Sequence, residues 1–291
     1  MALKFYWVDV FGEAPFSGNQ LAVCMDAGRL STAEMQMIAK ETNFSETSFV
    51  CSSEERNGGF DVRIFTPDTE VPFAGHPTLG TAWVIREKLL DPETKQVRLN
   101  LKIGQIPVDF ESDELLWMTQ AKPTVGVSVD RDTVGGVLSL KTGDFLESWP
   151  SRIYDTGLPT LIVPVADLEA LKRSKVSEAA YERLIEEHGK LLIMPICPGG
   201  YESRQTFAAR VFCHCYGVVE DSATGSANGC LAAYLANEGV MGASSVAVVV
   251  GQGYEIGRPS SLYLDARKEG EDVIVKVGGK TRIVGEGVFE V

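Results

Sequence analysis

The sequence predicts an α+β protein of two pseudo-symmetric domains, each a β-barrel-like antiparallel or mixed sheet wrapped around one central helix. The first observation is that a strand, a polar turn and a helix start follow one another twice, from Arg63 to Gly80 and from Arg210 to Gly229. The two arginines lie 147 positions apart and the two glycines 149, close to half of the 291 residues, which indicates a duplicated unit. The second is that short strands accompany one apolar helix per half, which favours a curved sheet over a parallel βαβ array.

The first domain is expected to span residues 1–120 and to be completed by a C-terminal strand from about residues 280–291. Ser31 and Glu34 form a capping-box pattern that predicts a helix over 32–42. Residues 78 to about 90 are apolar around most of a helical circumference, so this helix should be buried on nearly all sides. The strands of this domain are predicted at residues 5–11, 20–24, 49–51 and 60–65 and within 97–120.

The second domain is expected to span residues 121–279. One helix is predicted over 167–187, and a second, apolar helix from 227 to about 237 takes the central position. The strands of this half are predicted at 152–154, 160–165, 191–194 and 208–212, and the C-terminal part is strand-rich at 245–250, 261–264, 273–277 and 282–291.

Composition excludes several functional classes. The net charge of −13 repels phosphate backbones, so nucleic acid is not expected as a partner. No apolar run reaches the roughly 20 residues that span a bilayer, and the N-terminus does not resemble a signal peptide, which predicts a cytoplasmic protein with no membrane partner. The six cysteines match no zinc framework, and His214 between two of them is placed on a strand, where alternate side chains face opposite sides. No metal is therefore predicted.

The start of the first apolar helix is a candidate ligand site. His76 lies between Gly75, which permits close backbone approach to a ligand, and Pro77, which suits the first helical position. Helix N-termini bind carboxylates through backbone N–H groups. The alternative is that His76 only caps or packs this turn.

The start of the second apolar helix contains more polar side chains than a helix cap requires. Asp221, Thr224, Gly225 and Ser226 fall in one short segment, whereas a cap needs only one such side chain. An ordinary N-cap at Asp221 or Ser222 is the alternative interpretation.

Glu46 is the third candidate, because it lies near Phe44 and Phe49 at the start of a strand. Desolvation there would raise the pKa of its carboxyl group toward the range useful for proton transfer; a solvated strand residue is the alternative. No nucleophile elbow or Walker loop is present, and residues 251–257 miss the dinucleotide-binding spacing, so no cofactor is predicted.

These segments resemble the phenazine-biosynthesis isomerase (PhzF-like) family of the diaminopimelate-epimerase fold. The resemblance runs through most of the chain. It rests on residues 8–11, 15–19, 43–50, 63–67, 70–80, 156–159 and 220–227. One departure is Ser222, where the family usually has proline.

The resemblance implies a site in the cleft between the two domains, without metal or organic cofactor, and commonly a homodimer. It implies that Glu46 is the general acid/base, taking a proton from one carbon of a cyclic dihydro-hydroxy amino acid and returning it elsewhere. It also implies that His76, Asp221 and Ser226, with the backbone at Gly75 and Gly225, hold the substrate and assist proton movement. Asn19 and Thr224 complete the predicted substrate-binding residues.

The predicted function is therefore a cofactor-independent isomerase of a small carboxylate-bearing substrate, with phenazine biosynthesis as its expected context. An amino-acid epimerase of the same fold is one alternative. It is disfavoured because such enzymes use a cysteine at each helix start, and Cys230 lies too far into its helix. A non-catalytic carboxylate-binding protein is the other alternative, since a fold does not fix a function.

Overall fold

The computed structural model describes residues 2–112, 114–242 and 245–291, and the chain divides into two compact units. The first unit comprises Met1–Met118 with Gly278–Val291, and the second comprises Thr119–Val277. The predicted α+β fold class is confirmed. Within the described residues, no helix combines the length and the apolar character needed to cross a membrane.

The first unit is built on a ring of strands. Its elements are β1 (Ala2–Val10), β2 (Asn19–Cys24), α1 (Thr32–Thr42), β3 (Thr47–Val50), β4 (Phe60–Phe65), β5 (Glu70–Val71), α2 (Gly75–Leu89), β6 (Gln96–Leu101), β7 (Gly104–Phe110), β8 (Leu115–Thr119) and the C-terminal part of β18 (Asp272–Glu290). The hydrogen-bonded order β1-β2-β3-β4-β6-β7-β8-β18 returns to β1, which closes an eight-stranded barrel. The pairs β2–β3 and β4–β6 are parallel.

Helix α2 is the central helix of this unit. It packs against β1, β2, β3, β6 and β7, and Leu79, Ala82, Val84 and Ile85 are fully buried. Gly80 allows a close approach, because a Cβ atom there would lie 2.6 Å from Leu21 Cδ2 and 2.8 Å from Val10 Cγ2. The all-round apolar pattern of the sequence therefore corresponds to a helix enclosed by strands.

The second unit has the same kind of architecture. Its elements are β9 (Thr124–Ser128), α3 (Arg131–Leu138), β10 (Arg152–Asp155), β11 (Thr160–Pro164), α4 (Leu168–Arg173), α5 (Glu178–His188), β12 (Leu192–Pro198), β13 (Phe207–Ala209), β14 (Val211–Cys213), β15 (Val218–Asp221), α6 (Gly225–Asn237), β16 (Ser245–Gln252) and β17 (Ser260–Glu269). The strands pair in the order β9-β10-β11-β12-β13-β16-β17, while β14 pairs with β12 and β15 pairs with β14. Helix α6 packs against β10, β11, β16 and β17, and residues 225–236 are all buried.

Three sequence predictions are wrong in detail. The helix predicted over 167–187 is interrupted between α4 and α5, where the N–H groups of Lys175 and Ser177 donate to carbonyls of α3 instead of continuing a helix. The strands predicted at 273–277 and 282–291 belong to one continuous strand, β18. His214 does not lie on a strand, because β14 ends at Cys213 and residues 214–216 form a 3₁₀ turn, so the alternation argument does not apply there.

Candidate active site

The start of α2 is held by a hairpin of β4 and β5. Arg63 donates from Nε and Nη2 to the two carboxylate oxygens of Glu70, both at 2.8 Å, which ties the strands together just before the helix. These bonds hold the pKa of Glu70 near 2, because they stabilise its charged form. The hairpin therefore fixes where the helix begins.

The first turn of α2 has no side-chain cap. Its N-cap residue is Ala74, and no side chain among the described residues accepts a hydrogen bond from the first turn in the way that Ser31 does for α1. Thr78 Oγ1 instead donates to the Ala74 carbonyl at 2.7 Å. The backbone N–H groups at Gly75 and His76 are thus placed to bind an anion.

Glu46 and His76 meet at this helix start. Glu46 Oε2 lies 3.5 Å from His76 Nε2, and the side chains are 20% and 7% exposed. Burial lowers the pKa of His76 to about 3, opposed in part by a hydrogen bond with the backbone of Gln20. The distance alone would fit an ion pair, but removal of the ring from water outweighs that attraction, so His76 is neutral at physiological pH.

The neutral ring has a defined tautomer. His76 Nε2 makes no hydrogen bond within the described part of the chain, so the bond to Gln20 uses Nδ1. That bond raises the pKa, which means that the ring donates and the Gln20 carbonyl accepts. The Nε2 lone pair therefore faces Glu46, and it can accept a hydrogen bond from the Glu46 carboxyl group when that group is protonated.

The start of α6 is braced in the same manner. Arg210 donates from Nε and Nη2 to the two carboxylate oxygens of Glu220 at 3.0 and 2.7 Å, with side chains only 10% and 5% exposed. Arg210 Nη1 also donates to three backbone carbonyls in 171–174, at and just after the end of α4. The pair corresponds to Arg63 and Glu70 in the first unit.

The polar residues before α6 form a network rather than a cap. The N-cap residue is Thr224, and no side-chain cap bond is present among the described residues, so the N-cap interpretation of Asp221 or Ser222 is wrong. Thr224 Oγ1 donates to Asp221 Oδ2 at 2.5 Å. Asn228 Nδ2 donates to the Thr224 carbonyl at 3.0 Å, as Thr78 does to Ala74.

The structure brings the predicted residues together in two groups, one in each unit. In the first unit, Glu46, Gly75 and His76 lie at the start of α2, and buried Asn19 precedes the residue that bonds to His76. In the second unit, the structure groups Asp221, Thr224, Gly225 and Ser226.

Two polar residues of this second group were not predicted. Gln252 and Asn228 bond to the turn before α6 and are fully buried. The only sequence signal for Gln252 was its position between two glycines at a strand end.

A carboxyl–imidazole pair at an uncapped helix start is typical of enzymes that transfer protons. Comparison with known proteins assigns the family. The model of the phenazine biosynthesis-like protein family matches residues 8–287, so the chain belongs to that family, as its sequence segments predicted.

Related proteins agree with this assignment. The chain is 34% identical to a protein of Pseudomonas fluorescens over 97% of both chains and 35% identical to one of Pseudomonas aeruginosa over 98% of both. Each is named trans-2,3-dihydro-3-hydroxyanthranilate isomerase. The crystal structure of the Bacillus anthracis phenazine biosynthesis protein, PhzF family, superposes with a TM-score of 0.91 at 28% identity, covering 100% of both chains. The predicted enzyme class, an isomerase, is confirmed.

Proposed function

We propose that this isomerase moves a proton between two positions of a small carboxylate-bearing substrate, with Glu46 as general acid/base and without a cofactor. The observation that carries the proposal is the Glu46–His76 pair at the uncapped start of α2. A half-buried carboxyl group beside a neutral imidazole can both accept and return a proton.

The proton balance assigns a role to His76. Ionised Glu46 takes a proton from a substrate carbon, and the electron pair of the broken C–H bond shifts the double bond along the substrate. Glu46 is then a carboxylic acid, and its O–H can donate to the Nε2 lone pair of His76, 3.5 Å away. Glu46 returns the proton to a second carbon, so no proton or electron is gained or lost overall.

The remaining predicted residues are assigned to substrate binding. Backbone N–H groups at Gly75 and Gly225 belong to helix starts that no side chain among the described residues caps, which supports a role in binding a carboxylate and developing negative charge. Asp221 orients the substrate or relays the proton, while Ser226 and Asn19 contribute polar contacts.

The names of the relatives supply a first candidate substrate. Their printed activity supports trans-2,3-dihydro-3-hydroxyanthranilate, a cyclic dihydro-hydroxy amino acid, and with it a place in phenazine biosynthesis. Ser222 stands where the family usually has proline, and it is buried next to Asp221. This difference lies beside a residue assigned to substrate binding, so substrates with other substituents on the ring are the first alternatives to assay.

Glu46→Gln tests the proposal, with trans-2,3-dihydro-3-hydroxyanthranilate as the probe in deuterated water. Loss of a general base should lower kcat about 10²–10⁴-fold and slow deuterium uptake in parallel. Glu41→Gln, at an exposed position of the same unit, is the matched control and should behave as the parent. An E46Q protein that isomerises and exchanges at the parent rate would remove Glu46 from the mechanism.

Thiol alkylation separates the isomerase from the epimerase alternative. Burial raises the pKa of Cys230 to about 11, so this thiol is a poor nucleophile near neutral pH. Treatment of the native protein with iodoacetamide should leave its activity intact, whereas a two-thiol epimerase would be inactivated. Binding of the probe without any solvent deuterium uptake would instead favour the non-catalytic alternative.

A homodimer and a cytoplasmic location stay predictions. Light scattering coupled to size-exclusion chromatography measures the oligomeric state, because a dimer doubles the 31.6 kDa mass of the chain.

A further inference from the structure

Gln252 is a fully buried amide that contacts the polar turn before α6 from the end of β16. Its Nε2 donates to the Asp221 carbonyl at 2.9 Å and to Thr224 Oγ1 at 3.1 Å. Its Oε1 accepts from the Thr224 N–H at 3.4 Å and from Asn228 Nδ2 at 2.9 Å. One side chain therefore binds the turn and the first turn of the helix at four points.

The orientation of this amide is fixed by its partners. The Asp221 carbonyl can only accept, so the atom that faces it is the nitrogen. The Thr224 N–H can only donate, so the atom that faces it is the oxygen. A flipped amide would break both bonds.

This orientation gives the hydrogen-bond chain a direction. Because Gln252 donates to Thr224 Oγ1, the hydroxyl hydrogen of Thr224 is directed to Asp221 Oδ2, 2.5 Å away. The chain runs from amide to hydroxyl to carboxylate, and such chains strengthen each member. It also fixes the rotamer of Asp221.

The backbone beside Gln252 packs closely on the same turn. Gly253 has a φ of +80°, and a Cβ atom there would lie 2.5 Å from the Ser222 carbonyl oxygen. The strand end and the turn thus meet backbone to backbone, which leaves Gln252 little room to move.

We propose that Gln252 is a positioning residue for the reaction, holding the Asp221 carboxylate in its working orientation through the Thr224 hydroxyl. This inference rests on the proposed function, because it gives Asp221 a part in substrate orientation or proton relay. Gln252 acts on the reaction only through Asp221 and Thr224.

Gln252→Glu reverses the direction of the hydrogen bond between residue 252 and Thr224. The introduced carboxylate cannot donate, so it accepts the Thr224 hydroxyl hydrogen and withdraws it from Asp221. Since small displacements of a positioned group cost up to about 10²-fold in rate, kcat on trans-2,3-dihydro-3-hydroxyanthranilate should fall by about that factor. KM should change less than about threefold, because the interaction serves the transition state.

Gln205→Glu is the matched control. Gln205 is also a buried amide of the second unit that bridges a turn, accepting from the N–H groups of Tyr201 and Glu202 and donating to Tyr254. Both variants bury a carboxylate and should lose thermal stability, but only Q252E should lose kcat. An equal loss of kcat in both would overturn the inference.

Three further variants test whether the effect passes through Thr224 and Asp221. Thr224→Val should reproduce the kcat loss of Q252E, and Thr224→Ser, which keeps the hydroxyl, should retain at least about tenfold more kcat than T224V. In an Asp221→Asn background, Q252E should cost less than about threefold further. A kcat of T224S as low as that of T224V would contradict a route through the Thr224 hydroxyl. An undiminished effect of Q252E on kcat in the Asp221→Asn background would contradict a route that ends at Asp221.

A measurement without substrate separates this inference from the proposed function. Urea unfolding of the parent, Q252E, T224V and the double variant forms a cycle, and a direct bond predicts a coupling of at least about fivefold in the folding equilibrium constant. If the parent does not turn over the probe, the proposed substrate is wrong, but this coupling still supports the hydrogen-bond chain from Gln252 through Thr224. If the effects of Q252E and T224V on unfolding are additive, the hydrogen bond between the two side chains is contradicted, whatever the activity.

Discussion

The pKa of His76 determines how this protein should respond to mild acid. The ring titrates near 6.5 in the unfolded chain, and burial lowers that pKa to about 3 in the folded protein. Below pH 6.5 the His76 ring is therefore protonated in the unfolded chain but stays neutral in the folded protein. Stability is lost as the pH falls from 6.5 toward 3.

His76→Asn isolates this contribution, because the asparagine amide can still donate to the Gln20 carbonyl but does not titrate. Between pH 7.5 and 5.5 the parent should lose about 1.4 kcal/mol through His76 alone. A folded pKa of 4 instead of 3 changes this figure by less than about 0.1 kcal/mol, since the loss in this range is set by the unfolded chain.

Urea unfolding of both proteins at several pH values measures the effect. The two proteins differ only at residue 76, so the informative quantity is the difference in unfolding free energy between parent and variant at each pH. A lower limit of pH 5.5 keeps the protein above its pI of about 4.8. The stability advantage of the parent over H76N should shrink by about 1.4 kcal/mol across the range.

The opposite sign would refute the reasoning. If His76 were protonated and paired with ionised Glu46, its folded pKa would be raised, and the parent's advantage would grow as the pH falls. The Nε2 atom would then carry a hydrogen and could not accept one from Glu46. The role assigned to His76 in the proton cycle would be lost with it.

The two Arg–Glu pairs and two glycines give further predictions, all measured by urea unfolding. Glu220→Gln should cost about 3 kcal/mol, because it removes the bidentate carboxylate of the buried Arg210 guanidinium and leaves it only the longer contact with Glu255, at 4.0 Å. Glu70→Gln should cost about 1–2 kcal/mol, since Arg63 is more exposed to water than Arg210. Equal costs would contradict the burial argument. Gly80→Ala should cost about 1–3 kcal/mol by crowding Leu21 and Val10. Gly136→Ala in α3, where the added methyl meets nothing within 4 Å, should stabilise by up to about 1 kcal/mol. Stabilisation by both substitutions would show that helix propensity, rather than packing, dominates at Gly80, and destabilisation by Gly136→Ala would contradict the prediction for that position.

The sequence predicts those elements whose ends are encoded locally. Helix α1 spans Thr32–Thr42 as predicted, because Ser31 and Glu34 exchange the two bonds of a capping box. Helices α2 and α6 begin at Gly75 and Gly225, earlier than predicted, because their starts lack the side-chain cap that would mark them.

The elements that sequence analysis missed lack a local signal. Helix α3 contains Gly135 and Gly136, which weaken the helical pattern. Gln252 meets Thr224 and Asp221 across 28 and 31 positions, and only the folded sheet brings them together. Sequence analysis thus identified candidate site residues, while the partners that orient them required the fold.

The two halves of the protein share the interactions that orient their central helices. Both halves keep the bidentate Arg–Glu pair, and both use a side chain four residues after the N-cap to bond the N-cap carbonyl. These shared devices orient the helix starts and leave their first N–H groups without a side-chain cap among the described residues.

The residues presented at those two helix starts are not equivalent. Where the first half has Ala74 and His76, the second has Thr224 and Ser226 at the corresponding positions. The first half holds a carboxyl–imidazole pair, and the second holds a hydrogen-bonded carboxylate. A racemase needs two matched proton-transfer groups, one for each face of a single carbon, whereas moving a proton from one carbon to another needs one such group and a different set to bind the substrate. The asymmetry within the repeat therefore favours the isomerase over the epimerase.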